Sequence, residues 1–444
     1  MSDVSIPRKF FRYVTPNIFG MIGISAYMLA DTYFIAKGVG ADGLTALNLV
    51  LPLYSLLFGI GNMIAIGSAT RFRLLRAMNS PEADQYFGNA LFFAFLCSLP
   101  FMIVAIFFHE PLLLALGARG NVLSLGTTYT MIFMSLAPCF MWSHICDAFV
   151  RNDGSPRIAM IATLASSLFN IVMDYVLMFP LGMGIAGASL ATAISPLVAI
   201  AINSSHLLSA RSSLSVRGTV LSFVRFINSC RLGIAALVGE LALGITTLVF
   251  NFIILALVGN IGVAAYGVIA NIAYVAGAIF NGLSQGAQPL FSQYYGEKHW
   301  LSLAKSLELA LATGFAIAVV IVAVTHVFAD PIAAIFNSEG NAQMQTLAVS
   351  GVKLYFPGYL LASLNLAATS YLAATTAANW ATLTSLLRGI IATVPCALVL
   401  SHLLGMTGVW ITFASAEAIT LVVVCFALHR CNSRYRRMMG AQQL

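Results

Sequence analysis

The sequence predicts an all-α integral membrane protein, with twelve transmembrane helices in two pseudo-symmetric six-helix bundles. Three observations carry this prediction. Of 444 residues, 60% are hydrophobic and only 8% charged, with a mean hydropathy of +0.91. A soluble domain carries about 25% charged residues, so a soluble enzyme, a disordered chain and a nucleic-acid-binding module are excluded as whole-chain readings. The chain also contains twelve continuously apolar runs, each long enough for the roughly 20 residues that cross a bilayer. Membrane β-strands would instead alternate apolar and polar residues. Finally, the second half of the chain repeats the first.

In order, the runs lie at about 13–36, 44–70, 88–108, 122–147, 158–179, 185–207, 233–257, 263–292, 304–328, 346–373, 380–401 and 407–429. The first follows basic residues as a signal peptide would. It is too long for one and no A-x-A site follows, so it reads as a retained helix. Basic residues fix the orientation. With the N-terminus inside, 18 of the 22 Lys and Arg fall on the inner side, including Arg434, Arg436 and Arg437 of the tail. Only Lys37, Arg119 and Lys353 fall outside, and Arg388 lies within a span. This is the positive-inside pattern, with both termini cytoplasmic. The net charge of +7 is therefore topogenic, and nucleic acid is no expected partner. None of the seven cysteines forms C-x-x-C, and they read as small buried hydrophobes.

The repeat is visible in glycine and proline. Val39-Gly40-x-x-Gly43-x-x-Ala46 recurs as Val258-Gly259-x-x-Gly262-x-x-Ala265, and Pro111 with Gly120-Asn121 as Pro331 with Gly340-Asn341. Pro138 recurs as Pro357 and Gly184-x-x-Gly187 as Gly405-x-x-Gly408, all at offsets of 219 to 221. Each six-span unit starts and ends inside, so the repeats are parallel. The expected domains are 1–207 and 233–444. The polar segment 208–232 links them, and its amphipathic second half is suited to a surface-lying helix.

Motifs for soluble chemistry are missing. There is no P-loop and no H-E-x-x-H. Gly182-Met-Gly184-Ile-Ala-Gly187 matches G-x-G-x-x-G but lies between two membrane helices, not after a strand. A turn is the better reading, no cofactor is expected, and the chain is not expected to be an enzyme. A transporter without an ATPase of its own draws on an ion gradient or on a partner.

Each charge at membrane depth costs at least about 2.5–3.5 kcal/mol and needs a reason. Asp31 and Asp174 each lie six residues from an outer span end, about 9 Å deep. Thr192 descends to a similar depth, while Asn170 and Tyr27 sit one turn from the two acids. This set offers oxygen ligands to Na⁺, or a carboxylate pair that traps a proton. The alternative is hydrogen-bonding glue between helices. Asp147 has Arg151 at i+4, an arrangement suited to an interfacial ion pair. Pro16 is either a hinge or an ordinary N-terminal helix proline. Glu240 lies near an inner helix end. Gln285 faces neighbours or a cavity, and Arg388 is expected to pair with helix carbonyls or with Glu417.

At these residues the chain resembles the multidrug and toxic compound extrusion (MATE) family, in its DinF-like or MepA-like branch. The resemblance rests on Asp31-Thr-Tyr-Phe-Ile with Gly40 to Pro52, on Gly184 to Thr192, and on Gly282 to Pro289 running to Lys298. It implies a V-shaped pair of bundles in a bacterial inner membrane. It also implies H⁺- or Na⁺-coupled export of small organic, often cationic, compounds by alternating access, by a monomer. Asp31, Asn170, Asp174 and Thr192 match that branch's cation site, Pro16 its bending proline and Tyr129 its cavity tyrosine. Relatives have asparagines where this chain has His144 and Asp147, which marks these two as cavity-lining candidates of altered chemistry. A flippase of lipid-linked precursors, or a dedicated natural-product exporter, is the alternative within the wider superfamily. The flippase needs a strongly cationic cavity.

Overall fold

A computed structural model describes residues 5–337 and 341–442, with side chains as far as 431. Gly340 of the repeat and the side chains of Arg434, Arg436 and Arg437 lie outside the described residues. The helices are α1 (Ile6–Gly38), α2 (Ala41–Ala77), α3 (Gln85–Ile103), α4 (His109–Ala115), α5 (Gly120–Ser135) and α6 (Ala137–Asn152). They continue as α7 (Pro156–Met178), α8 (Gly184–Leu207), α9 (Phe223–Val258), α10 (Asn260–Gly296), α11 (Trp300–Val327) and α12 (Ala329–Phe336). The last are α13 (Ala342–Tyr355), α14 (Gly358–Ala374), α15 (Ala378–Leu386), α16 (Thr393–Leu404) and α17 (Met406–Gln442).

Among the described residues ten stretches of helix are long and apolar enough to span a membrane, and two bent pairs, each taken as one span, bring the count to twelve. The bends are 49° between α5 and α6 and 45° between α13 and α14. Each lies at a repeat proline, Pro138 in the first turn of α6 and Pro357 just before α14. A proline ring removes one helical hydrogen bond and clashes with the preceding turn, so a bend is its ordinary consequence. The repeated glycines share conformations too. Gly40 and Gly259 have φ of 83° and 78°, and Gly184 and Gly405 have 54° and 60°. These left-handed values start each following helix at the same angle in both halves.

The chain divides into two compact units, Thr15–Glu240 and Met1–Val14 with Leu241–Leu444. The N-terminal unit packs around Ile35, Leu57, Phe72, Phe133 and Phe149. The C-terminal unit packs around Phe250, Phe280, Phe356 and Trp410. Within the N-terminal unit α2 and α9 approach at backbone distance. A Cβ on Gly67 would stand 2.0 Å from the Ser229 carbonyl oxygen, and one on Gly233 would stand 1.9 Å from that of Met63.

The inner connection departs from the sequence expectation. Its second half is no separate surface helix but the first turns of α9, because helical hydrogen bonding continues past the apolar run that hydropathy marks. The preceding stretch is pinned by side chains. Asp153 accepts from the Ser213 amide at 2.9 Å and from its hydroxyl, and meets His206 Nε2 at 2.9 Å. Gln85 holds Val220 N at 2.6 Å and Asn89 holds Ser222 N at 2.8 Å.

Candidate functional site

Within the N-terminal unit two helices each bring a buried acid to the same region. Asp31 of α1 and Asp174 of α7 are both buried, and the charge of Asp31 acts on Asp174. Register explains why they meet. Lower on the same helices Gly20 of α1 lies against Thr163 of α7. Eleven residues further along each helix are Asp31 and Asp174. Eleven residues are three turns plus about 20°, which returns to the same helix face. Glycine at 20 lets the two helices run close, and the acids arrive at one level.

Asn170, one turn below Asp174, stands 3.2 Å from the Thr192 hydroxyl of α8. With the amide turned to suit both neighbours, its nitrogen donates to Asp174 Oδ2 at 3.3 Å. Its oxygen then accepts from the Thr192 hydroxyl and amide, each at 3.2 Å. Tyr129 of α5 is buried beside α8. Ser189 fixes its backbone by donating to the Tyr129 carbonyl at 2.8 Å. Tyr27 meets Tyr54 of α2, hydroxyl to hydroxyl at 2.9 Å. Tyr54 was not singled out from the sequence, since nothing in its run of apolar neighbours marks which way it faces.

Two oxygens of this cluster, Asp31 Oδ1 and Asp174 Oδ1, are buried with no hydrogen-bond partner. Neither acid belongs to any of the four ion pairs among the described residues. The donor set is therefore two carboxylates, an amide and hydroxyls with unspent acceptor capacity. It suits a proton or a small hard cation held by oxygen. Among the described residues no group of three or more His, Cys, Asp or Glu is arranged for a transition metal.

The other sequence candidates fall elsewhere. Asp147 lies toward the inner end of α6, where Asn203 donates to its Oδ1 at 2.5 Å and Thr163 to its Oδ2 at 3.3 Å. The expected ion pair with Arg151 is not formed. Arg151 instead donates to Asn17 Oδ1 on α1 at 2.9 Å, because the two buried helices offer it a neutral acceptor at closer range. His144 packs edge-on against Phe58, with ring centroids 4.4 Å apart. Pro16 is inside α1, two residues from the boundary of the units at Val14. Glu240 lies against α2 at Gly59, and Gln285 is half-buried in α10. Arg388 sits in a π-helical turn, Leu387–Ile391, between α15 and α16. Its Nε and Nη2 meet Glu417 Oε1 at 3.1 and 2.7 Å, and Asn365 donates to Glu417 Oε2 at 2.7 Å. Of the two expected partners it takes Glu417.

The MatE family model matches residues 16–176 and 235–399. Multidrug export protein MepA of Staphylococcus saprophyticus is 26% identical over 438 residues, covering 97% of this chain and 95% of the relative. The MepA of Staphylococcus aureus strain MRSA252 is 25% identical over 434 residues, covering 96% and 94%. Among solved structures, an outward-facing multidrug resistance MATE family transporter superposes with a TM-score of 0.91 at 20% identity, over 97% of each chain. A MOP superfamily transporter from Pyrococcus furiosus, described as having a binding pocket of reversed polarity, superposes with 0.90 at 20% identity over 96% of each. At that identity the likeness establishes the fold.

Proposed function

The chain belongs to the MatE family, a family of membrane transporters and not of enzymes, and from that premise we propose that it exports organic compounds in exchange for a proton or a sodium ion. Its relatives named as multidrug exporters support the substrate class. The coupling site is placed at Asp31, Asn170, Asp174 and Thr192, with Tyr129 closing it. The observation that carries this reading is the pair of buried carboxylates, brought to one level by the register of α1 on α7, each with an oxygen that lacks a hydrogen-bond partner. Two such charges side by side in a low dielectric are held only by a cation or a proton. That ion is cargo, released on the other side in each cycle.

The mechanism follows from differential binding. A cation taken up between α1, α7 and α8 draws these helices together, and a cationic substrate competes for the same negative charge. A ligand shifts a conformational equilibrium only by its differential affinity for the two states. Competition for one acidic site therefore couples the two movements in opposite directions. Pro16, next to the boundary between the units, leaves α1 short of one hydrogen bond and serves as the bending point. The protein works as a monomer in the cell membrane, with both termini cytoplasmic. Against the flippase reading, Arg388, the arginine that hydropathy places within a span, is paired with Glu417.

The test is dye efflux from proteoliposomes, run once with a proton gradient and once with a sodium gradient. Asp31→Asn and Asp174→Asn are each expected to abolish gradient-driven efflux while the protein remains folded. Wild-type efflux by both variants overturns the assignment.

A further inference from the structure

A second acid lies below this cluster in the same unit. Asp147 is held by Asn203 and Thr163, while Arg151 acts on it through space. Around it two more buried atoms lack a hydrogen-bond partner: Arg151 Nε and Asn203 Oδ1. A polar knot that only fastens helices satisfies its buried atoms. Unspent donors and acceptors around a carboxylate suit a place where protons and water exchange.

The two acidic levels are joined by helix geometry. On α7, Thr163, Ser167, Asn170 and Asp174 follow at intervals of four, three and four residues, which is one helix face. On α8, Thr192, Ser195 and Asn203 run down the opposite side, with Thr192 and Asn203 again eleven residues apart. Eleven residues rise about 16 Å. Between the levels Ser166 donates to the Ser195 carbonyl at 2.7 Å, and Ser167 is buried. Alongside, α1 places Gly20 against Thr163 and Gly23 against Ser167 and Leu164, so no α1 side chain fills the stripe at these positions.

We infer that Asp147 is a second proton-accepting station, joined to the Asp31–Asp174 pair by the stripe Asp174–Asn170–Ser167–Thr163, through which the coupling proton leaves toward the inner side. This rests on the proposed coupling role of the outer pair. In the transfer an O–H bond at Asp174 breaks and one at Asp147 forms. Each hydroxyl or water between accepts one proton and passes on another, so the net charge of the unit is unchanged until the proton leaves to inner water. The groups facing Asp147 are Arg151 and Cys146 on its own helix, Thr163 from α7 and Asn203 from α8. Arg151, tethered to Asn17 and not to Asp147, stabilises the departing state without capturing the carboxylate.

The full-length protein is reconstituted in proteoliposomes and proton-driven efflux of ethidium is measured against lumenal pH, the lumen facing the inner side. Asp147→Asn keeps the shape of the side chain and exchanges one acceptor oxygen for an NH2 donor, which the unpartnered Asn203 Oδ1 or the Thr163 hydroxyl can accept. It is expected to cut efflux at least tenfold and to flatten the rise of rate with lumenal pH. Asp147→Glu is expected to restore both. A structural Asp147 predicts the opposite, with Asp147→Asn within twofold of wild type and an unmoved pH profile, and that result overturns the station. Loss in Asp147→Asn with a lowered melting temperature and no rescue by Glu also overturns it, as does efflux driven by sodium alone. Asp31→Asn runs in parallel. If it too transports normally, the outer site itself fails; if it is inactive while Asp147→Asn is normal, only the inner station fails.

Discussion

Glu417→Gln is expected to destabilise the C-terminal unit by about 2–3 kcal/mol. Glu417 is buried, and its two oxygens are fully used. Oε1 takes both contacts from Arg388, and Oε2 takes the Asn365 amide. Breaking a fully buried ion pair by removing one partner costs about 3–5 kcal/mol. Here the Arg388 side chain retains 20% exposure, so its stranded charge is partly screened and the upper figure does not apply. From the other direction, interhelical hydrogen bonds in membranes average about 0.6 kcal/mol and reach about 1.7. Loss or weakening of three of them gives about 2–5 kcal/mol, the average lying at the low end. The two routes meet near the stated value. The glutamine also turns a donor toward the Asn365 donor, which adds to the loss. The assay is equilibrium unfolding in mixed micelles, with Arg388→Met and the double variant Arg388→Met/Glu417→Met completing a cycle. The double variant removes both charges and should return to within about 1 kcal/mol of wild type, since a neutral pair strands nothing. A Glu417→Gln variant within about 0.5 kcal/mol of wild type would refute the reasoning. So would a double variant whose loss equals the sum of the single ones.

Two further perturbations follow from contacts in the N-terminal unit. Gly233→Ala sets a methyl 1.9 Å from the Met63 carbonyl oxygen, and backbone cannot move aside as a side-chain tip can. A loss of about 3 kcal/mol or failure to express is expected, read by fluorescence size-exclusion profiles. Gly239→Ala, with nothing within 4 Å, serves as the control and should behave as wild type. Asp153→Ala releases Ser213 and His206 from their shared carboxylate. Trypsin should then cut at Arg211 and Arg217 about tenfold faster in inside-out vesicles, as local opening frees the segment; unchanged cleavage would count against the anchoring role.

What could be read from the chain beforehand divides along physical lines. Span number and approximate limits were legible because apolar length is a property of the sequence alone. Span ends were not, since α9 begins at Phe223, ten residues before the apolar run, among serines and arginines that keep helical hydrogen bonds in the interface. The shared level of the two acids was legible as well. Counting from the outer ends puts Asp31, Asp174 and Thr192 at one level, and the register of Gly20 against Thr163 brings the two acids to it. Rotation about each helix axis was not legible. It decides that Tyr27 meets Tyr54 and that Asn203 turns to Asp147. It also sends Arg151 to Asn17, although the i+4 spacing pointed to Asp147. Such choices depend on which faces of neighbouring helices meet, and a single sequence with frequent small residues on every face does not specify that. The π-helical turn around Arg388 was missed for the same reason. Its cue is Gly389, whose Cβ would stand 2.3 Å from the Ala242 methyl and whose carbonyl accepts from Thr246.

The repeat turns this into an argument about why one half carries the acids. At the offsets of 219 to 221 residues that relate the halves, Asp31 corresponds to Phe250 and Thr192 to Phe413. Asp174 corresponds to a position between Thr393 and Pro395. Both phenylalanines are taken up in stacks, Phe250 on Tyr266 at 5.4 Å and Phe413 on Tyr355 at 4.6 Å. Where the first half has Ser167 and Ser195 continuing its polar stripe, the second has Arg388 and, one residue past the counterpart of Ser195, Glu417. There the stripe ends in a closed ion pair. One scaffold thus holds two opposite treatments of buried charge. The second half neutralises Glu417 and puts rings at the counterparts of Asp31 and Thr192. The first half leaves Asp31 and Asp174 without a cation and with unpartnered oxygens, an arrangement that costs stability. The same backbone frame accommodates the neutral solution, so the fold does not require the acids. Their presence in one half alone supports the proposal that they serve as the coupling site, where two carboxylates in hydrocarbon would take up a cation or a proton.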